Sequence, residues 1–169
     1  WCEQLVPHVL KSATFNAQWE NSLEAASLFH KTASYLFDRV RYSEAEPLFV
    51  NALHIREKVL GLNHPEVALS LYHLASLYYE QVNYEQAEPL FVRALAIWEQ
   101  ALGADHFKVA YPLNGLADLY YEQGKYKQAE PLFVRALSIR EQALGPDNPD
   151  LAHPLIGLAN LHKRQGKYE

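Results

Sequence analysis

Apolar and polar positions along this chain follow the period of amphipathic α-helices. Residues 64–81 and 84–102 place their apolar side chains at spacings of one, three and four, which puts those side chains on one helical face. A strand would instead alternate apolar and polar residues. The positions that carry the pattern are Val67, Ala68, Leu71, Leu74, Ala75 and Tyr78, then Ala87, Leu90, Phe91, Ala94, Leu95, Trp98, Ala101 and Leu102.

The pattern repeats every 42 residues, as the tyrosines Tyr42, Tyr84, Tyr126 and Tyr168 show. Residues 84–125 and 126–167 are identical at 28 of 42 positions. Each repeat predicts two helices, and one repeat cannot bury its apolar face alone. The sequence therefore predicts an all-α fold, an α-α superhelix of about eight antiparallel helices.

The repeats also define the predicted boundaries. A linking helix at 1–21 and the first helix of a degenerate repeat at 22–41 precede three units, at 42–83, 84–125 and 126–167, and 168–169 begins another helix. We interpret the chain as a piece of a longer one. The last helix should then expose a leucine stripe, either through truncation or as an association surface. Its members are Leu151, Leu155, Leu158 and Leu161.

Residues at the helix ends support these boundaries. Gly61, Gly103 and Gly145 follow the second helices, where a left-handed C-terminal residue is favoured. Asn63, Asp105 and Asp147 are predicted as N-caps of the next helix. Within two first helices, Pro112 and Pro154 each remove a backbone hydrogen bond, so we expect a kink or a helix that restarts.

Composition and motifs argue against an enzyme. The net charge of −5 is mild and disfavours a nucleic-acid surface, no apolar run reaches membrane-spanning length, and the one cysteine, Cys2, excludes an internal disulfide. No phosphate-binding glycine loop or nucleophile motif is present, and no cofactor is expected. The eight histidines lack metal-ligand spacing, so we interpret them as capping, surface and packing residues. A cytoplasmic location is expected.

The repeated motif, seen as YEQAEPLFVRALAIWEQALG and YKQAEPLFVRALSIREQALG, resembles the 42-residue tetratricopeptide repeat. This long-helix version is found in kinesin light chains and in the C-terminal arrays of bacterial and fungal STAND ATPases of the NB-ARC and NACHT type. The segment CEQLVPHV at residues 2–9 is similar to the bridge between ATPase and repeats in STAND proteins. The resemblance implies a binding scaffold whose nucleotide-binding domain lies elsewhere in the full-length chain.

The resemblance also implies a ligand groove along the first helices of the repeats. The groove positions that we predict to bind a peptide are Phe37, Asp38, Tyr72, Tyr79, Glu80, Tyr111, Asn114, Asp118, Tyr121, Glu122, Asn160 and Lys163. Aromatic and acidic side chains predominate, which favours a basic or aromatic peptide. Some of these tyrosines would instead pack on the neighbouring repeat. Asp118 beside other acids argues against the carboxylate-clamp version of the family, and Asn114 resembles a groove asparagine that holds ligand backbone in kinesin-light-chain arrays.

Three functions remain open from the sequence. The first is the ligand-sensing or autoinhibitory array of a STAND-type signalling ATPase. The second is a cargo or assembly adaptor of the kinesin-light-chain kind, which a missing upstream P-loop would favour. The third is a small-molecule receptor that uses the tyrosine-lined groove. The identity of the ligand, the length of the full array and the oligomeric state do not follow from the sequence.

Overall fold

A computed structural model describes residues 6–11 and 21–166, and this part of the chain contains eight α-helices and no strand. The predicted all-α fold is confirmed. The predicted start of a further helix at 168–169 and most of the predicted linking helix at 1–21 lie outside the described residues. The helices are α1 (residues 6–11), α2 (Leu23–Phe37), α3 (Tyr42–Leu60), α4 (Pro65–Glu80), α5 (Tyr84–Leu102), α6 (Ala110–Glu122), α7 (Tyr126–Leu144) and α8 (Ala152–Arg164).

The chain divides into two compact units, residues 1–90 and 91–169, with the boundary inside α5. In the first unit α2 packs on α3 and α3 packs on α4, around a core that includes Phe29, Leu36 and Phe49. In the second unit α6 packs on α7 and α7 packs on α8, and Phe133 and Leu161 belong to its core.

Alanines at two repeat positions let the helices pack closely within the units. Their side chains have no solvent exposure, as expected where two backbones approach each other. They are Ala33, Ala45, Ala75, Ala87, Ala117 and Ala129. Ala159, at the next repeat of the first position, is exposed on α8.

The leucine stripe predicted on α8 is only partly uncovered. Leu155 is 49% exposed, whereas Leu151 and Leu161 are buried. Leu158 is partly buried against the core cluster that contains Leu161 and Phe133. The prediction of a fully exposed stripe was therefore wrong, because α7 already covers one side of it.

Pro112 and Pro154 do not kink their helices, because each first helix restarts before the proline. The turns Phe107–Val109 and Pro149–Leu151 are 3₁₀ helices, and α6 and α8 begin directly after them. Each proline is then the third residue of its α-helix, in the first turn, where a backbone N–H has no intrahelical acceptor. Ser70 occupies the same repeat position in α4, which runs without a break.

The N-caps lie one residue later than the sequence suggested. His64, His106 and Asn148 cap the first helices, and each side chain accepts a hydrogen bond from the backbone N–H two residues on, at 3.1, 3.2 and 2.9 Å. Prolines Pro65 and Pro149 occupy the first helical position, which their fixed φ favours, so the cap must be the residue before them. The predicted caps Asn63, Asp105 and Asp147 stand outside the helices.

Candidate functional site

The predicted groove residues lie on the first helices of the repeats or directly after them. In the first unit Phe37, Tyr72 and Tyr79 are half-buried and Asp38 and Glu80 are exposed. In the second unit, six of the predicted groove residues lie on α6 and α8 and have exposed or half-buried side chains. These are Tyr111, Asp118, Tyr121, Glu122, Asn160 and Lys163.

Three of the groove aromatics pack on the tyrosine that begins the next helix along the chain. Phe37 packs on Tyr42, Tyr79 on Tyr84 and Tyr121 on Tyr126, with ring centroids 5.5, 5.7 and 5.6 Å apart. The contact recurs at every 42-residue step, which is typical of a structural role. These rings therefore offer an edge or one face to a ligand, since part of each ring is already covered.

The acidic side chains of the groove are partly paired within the chain. Glu80 accepts a hydrogen bond from the Tyr42 hydroxyl, and burial together with this carboxylate raises the pKa of Tyr42. In the second unit Asp118 lies 3.1 Å from Nε2 of His153. Arg164 forms a side-chain hydrogen bond with Tyr121.

A cavity of about 140 Å³ opens between α6 and α8 and reaches down to α7. Phe133 of α7 lies at its base and is only 1% exposed, because Gly157 packs directly on that ring and a β-carbon on Gly157 would stand 2.5 Å from it. The cavity brings together four of the residues predicted to bind a peptide. It adds His153 and Ile156, which lie on the same predicted groove stripe of α8, and Phe133 and Gly157, which the prediction did not include. Its lining consists of Asp118, Tyr121, Glu122, Phe133, His153, Ile156, Gly157 and Asn160.

Asn114 differs from the other groove residues because it is only 3% exposed. Neither its amide nitrogen nor its amide oxygen has a hydrogen-bond partner within the described residues. A buried polar group without a partner costs about 1–3 kcal/mol. Ligand binding by Asn114 remains a prediction, and it requires the side chain to become accessible.

A buried polar cluster in the first unit was not foreseen. Arg56 is 6% exposed, and its Nη1 donates to Ser70 Oγ at 2.6 Å and lies 3.3 Å from Nδ1 of His30. Its Nη2 lies 3.2 Å from Glu66. The His30 and His73 rings stand edge to face, 4.7 Å apart.

Burial keeps both histidines of this cluster neutral. Desolvation, with the positive charge of Arg56 nearby, lowers the pKa of His30 to about 3 and that of His73 to about 4.

The cluster also connects three helices. Arg56 on α3 has polar partners on both α2 and α4, so its guanidinium holds α2, α3 and α4 together. Sequence comparison could have flagged it, since Arg56 and Ser70 are replaced by Trp98 and Pro112 one repeat later.

Glu46 and Glu130, which occupy the same repeat position near the start of a second helix, connect that helix to a first helix. The Tyr78 hydroxyl donates to Glu46 at 2.9 Å, and His162 lies 3.5 Å from Glu130 at the same repeat positions. Burial and this hydrogen bond raise the pKa of Tyr78 to about 12.

The described residues contain neither a metal-binding group nor a membrane-spanning helix. Within residues 6–11 and 21–166, no group of three or more histidine, cysteine and acidic side chains is placed to hold a metal ion. Among the helices of the same segments, none has the length and apolar character needed to cross a membrane.

Comparison with known proteins identifies the repeat. A profile of the tetratricopeptide repeat matches residues 24–100, 70–142 and 108–169. The crystal structure of BtubC (BKLC) from P. vanneervenii has a TM-score of 0.80 and 24% identity, over 97% of this chain and 65% of that one. This chain therefore spans less than two thirds of the length of BtubC.

Nearly identical TPR-like repeats of the kinesin-light-chain type from Podosopora anserina are also similar. Their TM-score is 0.72 at 22% identity, over 98% of this chain and 76% of that one. A second crystal structure, of a variant of those repeats, gives a TM-score of 0.75 at 22% identity, over 89% and 70%. At these identities the likeness shows the fold, a tetratricopeptide solenoid. No curated protein sequence matches this chain significantly.

Proposed function

Because this chain belongs to the tetratricopeptide repeat family, we propose that it is a non-enzymatic scaffold that binds an extended peptide along its first helices. The observation that carries the proposal is the cavity between α6 and α8. Asp118, Tyr121, Glu122 and Asn160, all chosen from the sequence as groove positions, line it together. A side chain of a bound peptide could lie between these residues, because they come from two first helices, α6 and α8.

We further propose that the peptide is basic or aromatic. Asp118 and Glu122 place two carboxylates at the cavity, and Tyr121 adds a half-buried aromatic ring. Carboxylates attract a lysine or arginine, and aromatic rings add cation–π and stacking contacts. His153 and Arg164 temper the negative charge, so we expect moderate affinity that weakens with salt.

The scaffold's place in a larger protein is also a proposal. The likeness of residues 2–9 to the STAND bridge supports a sensor or autoinhibitory array attached to an upstream nucleotide-binding domain in the cytoplasm. A P-loop upstream in the full-length gene is the expected finding. A gene without one would favour a cargo or assembly adaptor instead.

The groove cavity is small for a metabolite receptor. Small-molecule pockets typically measure about 300–1,000 Å³, whereas this cavity measures about 140 Å³. A second hollow of about 600 Å³ lies away from the predicted groove positions. It is lined by Gly124, Lys125, Tyr126, Lys127, Gln128, Glu130 and Gln165.

A selection with a random peptide library displayed on phage tests the proposed function. The wild-type chain is expected to enrich peptides with lysine, arginine or aromatic residues. A Tyr79→Ala, Tyr121→Ala, Glu122→Lys variant should lose them while keeping its circular dichroism spectrum. A Glu141→Gln variant, which changes an exposed acid outside the cavity, is the matched control. Equal enrichment by the triple variant would overturn the groove assignment.

A further inference from the structure

The cavity between α6 and α8 has an apolar wall. Ile156, which is 59% exposed, lines it from α8, and the half-buried ring of Tyr121 lines it from α6. The Phe133 ring at its base is only 1% exposed and packs tightly on Gly157, where a β-carbon would stand 2.5 Å from it. An aliphatic chain fits such surroundings, because it buries apolar area without losing hydrogen bonds.

The polar part of the cavity is acidic. Asp118 and Glu122 face it from α6, and the Asp118 side chain is only 28% exposed. Two carboxylates repel an anion, and an apolar tip would further desolvate Asp118. A ligand with a cation at the end of an aliphatic stem would pair with the carboxylates and cover the apolar wall of the cavity.

Three basic side chains of the second unit act on this part of the cavity, namely His153 on Asp118, Arg164 on Glu122 and Arg140 on His153. Arg140 on α7 donates to the Asp150 carbonyl at 2.6 Å, and Arg164 at the end of α8 is hydrogen-bonded to Tyr121. His153 on α8 is the one that contacts Asp118, at 3.1 Å. Its side chain is 51% exposed, so the pair is weak and a ligand can compete with it.

We infer that this cavity is a subsite for one lysine side chain, whose ammonium group takes the place of His153 on Asp118. The inference rests on the proposed function and names the residue type that the peptide presents here. The lysine stem would lie along Ile156 and the Tyr121 ring, and its ammonium would reach Asp118. A lysine suits the site because its compact charge sits on a flexible four-carbon stem.

Binding should then depend on pH. The hydrogen bond to Asp118 raises the pKa of His153, against the opposing effects of burial and Arg140. Below this pKa the imidazolium competes for Asp118, and above it the neutral ring competes less. Affinity for lysine is therefore expected to rise as pH increases through the titration of His153.

The test is a nuclear magnetic resonance titration of the 169-residue chain with N-acetyl-lysine methylamide. N-acetyl-norleucine methylamide, which keeps the stem and lacks the ammonium, is the control ligand. We expect the lysine compound to shift the Gly157 amide and the His153 ring signals. The norleucine compound should bind about fivefold more weakly, as the loss of one half-exposed ion pair predicts.

Two variants complete the test. Asp118→Asn should weaken lysine binding about fivefold and remove its pH dependence, whereas Glu141→Gln should change neither. Equal binding of both compounds, or unchanged binding by Asp118→Asn, would overturn the subsite.

The outcome also separates this inference from the proposed function. Peptides enriched from the library without any need for lysine would support the scaffold and overturn the subsite. Saturable lysine binding without any enriched peptide would support the subsite and count against the peptide scaffold.

Discussion

Gly157 lies so close to Phe133 that a β-carbon on the glycine would stand 2.5 Å from the aromatic ring. The same relationship joins Gly115 to Phe91, at 2.6 Å, 42 residues earlier. In the first unit the equivalent position is His73, whose ring stacks on Phe49 with centroids 5.7 Å apart. At this repeat position the first helix therefore packs a glycine, or in α4 a histidine ring, directly on a buried phenylalanine.

We predict that Gly157→Ala destabilises the second unit. The new methyl group would push on the buried Phe133 ring, and overpacking of this kind costs about 1–3 kcal/mol. Alanine recovers about 1 kcal/mol of helix propensity, which leaves a net loss of up to about 2 kcal/mol. Urea unfolding followed by circular dichroism measures this change in the free energy of unfolding.

A double-mutant cycle tests the reason for that loss. Phe133→Leu makes room above α7, so Gly157→Ala should cost less in the Phe133→Leu background than in the wild type. If Gly157→Ala stabilised the chain in both backgrounds, the ring would be free to move aside and the close contact would have no energetic role.

Ser70→Ala should destabilise the first unit by about 1–3 kcal/mol, because the buried Arg56 guanidinium would lose its 2.6 Å acceptor. Ser43→Ala removes an exposed hydroxyl from α3 and serves as the control, with an expected change within about 0.5 kcal/mol. Urea unfolding of both variants measures the difference. If the wild type and Ser70→Ala were equally stable, His30 and Glu66 would be sufficient polar partners for the buried Arg56 guanidinium.

Acid should weaken the first unit through its buried histidines. Because burial lowers the pKa of His30 to about 3 and of His73 to about 4, the unfolded chain binds more protons than the folded chain below about pH 6.5. The stability that neutral histidines contribute is thus complete above pH 6.5 and is lost as the pH falls towards 4. Each histidine contributes up to about 1.4 kcal/mol per pH unit.

Urea unfolding at pH 7, 6, 5 and 4 measures this slope. His73→Gln should flatten it, because the glutamine does not titrate. His54→Gln, which replaces an exposed histidine on α3, should leave it as in the wild type. Identical slopes for the wild type and His73→Gln would count against a role for the buried cluster in acid sensitivity.

Val82→Gly should stabilise the first unit by about 0.5–1 kcal/mol. Val82 has a φ of 61° and is 68% exposed, and the equivalent residue Gly124 has a φ of 72°. A β-branched residue is strained in this left-handed region by about 1–2 kcal/mol, from which the greater chain entropy of glycine subtracts about 0.5–1 kcal/mol.

Thermal and urea unfolding of Val82→Gly, with Gly124→Val as the reciprocal variant, check this prediction. The reciprocal change should destabilise the second unit. A loss of stability in Val82→Gly would indicate that the valine makes a contact worth more than its backbone strain.

The sequence by itself determined the local structure of this protein. Apolar spacing and the 42-residue period depend on neighbours along the chain, so they predicted the helices and the all-α repeat fold. The glycines after the second helices have the positive φ that favours glycine, but not the left-handed helical conformation that was predicted, because ψ is 159° at Gly61 and 162° at Gly145. The N-caps lie one residue later than predicted because Pro65 favours the first helical position, which leaves His64 as the cap.

Only the tertiary structure decided what the side chains meet. It joined Arg56, Ser70 and His30 from three helices into one buried cluster, and it placed His153 on Asp118. It also packed Gly157 on Phe133 and opened a cavity beside them, between α6 and α8. These contacts join residues 14 to 35 positions apart, whose relative placement depends on how helices pack and not on local periodicity.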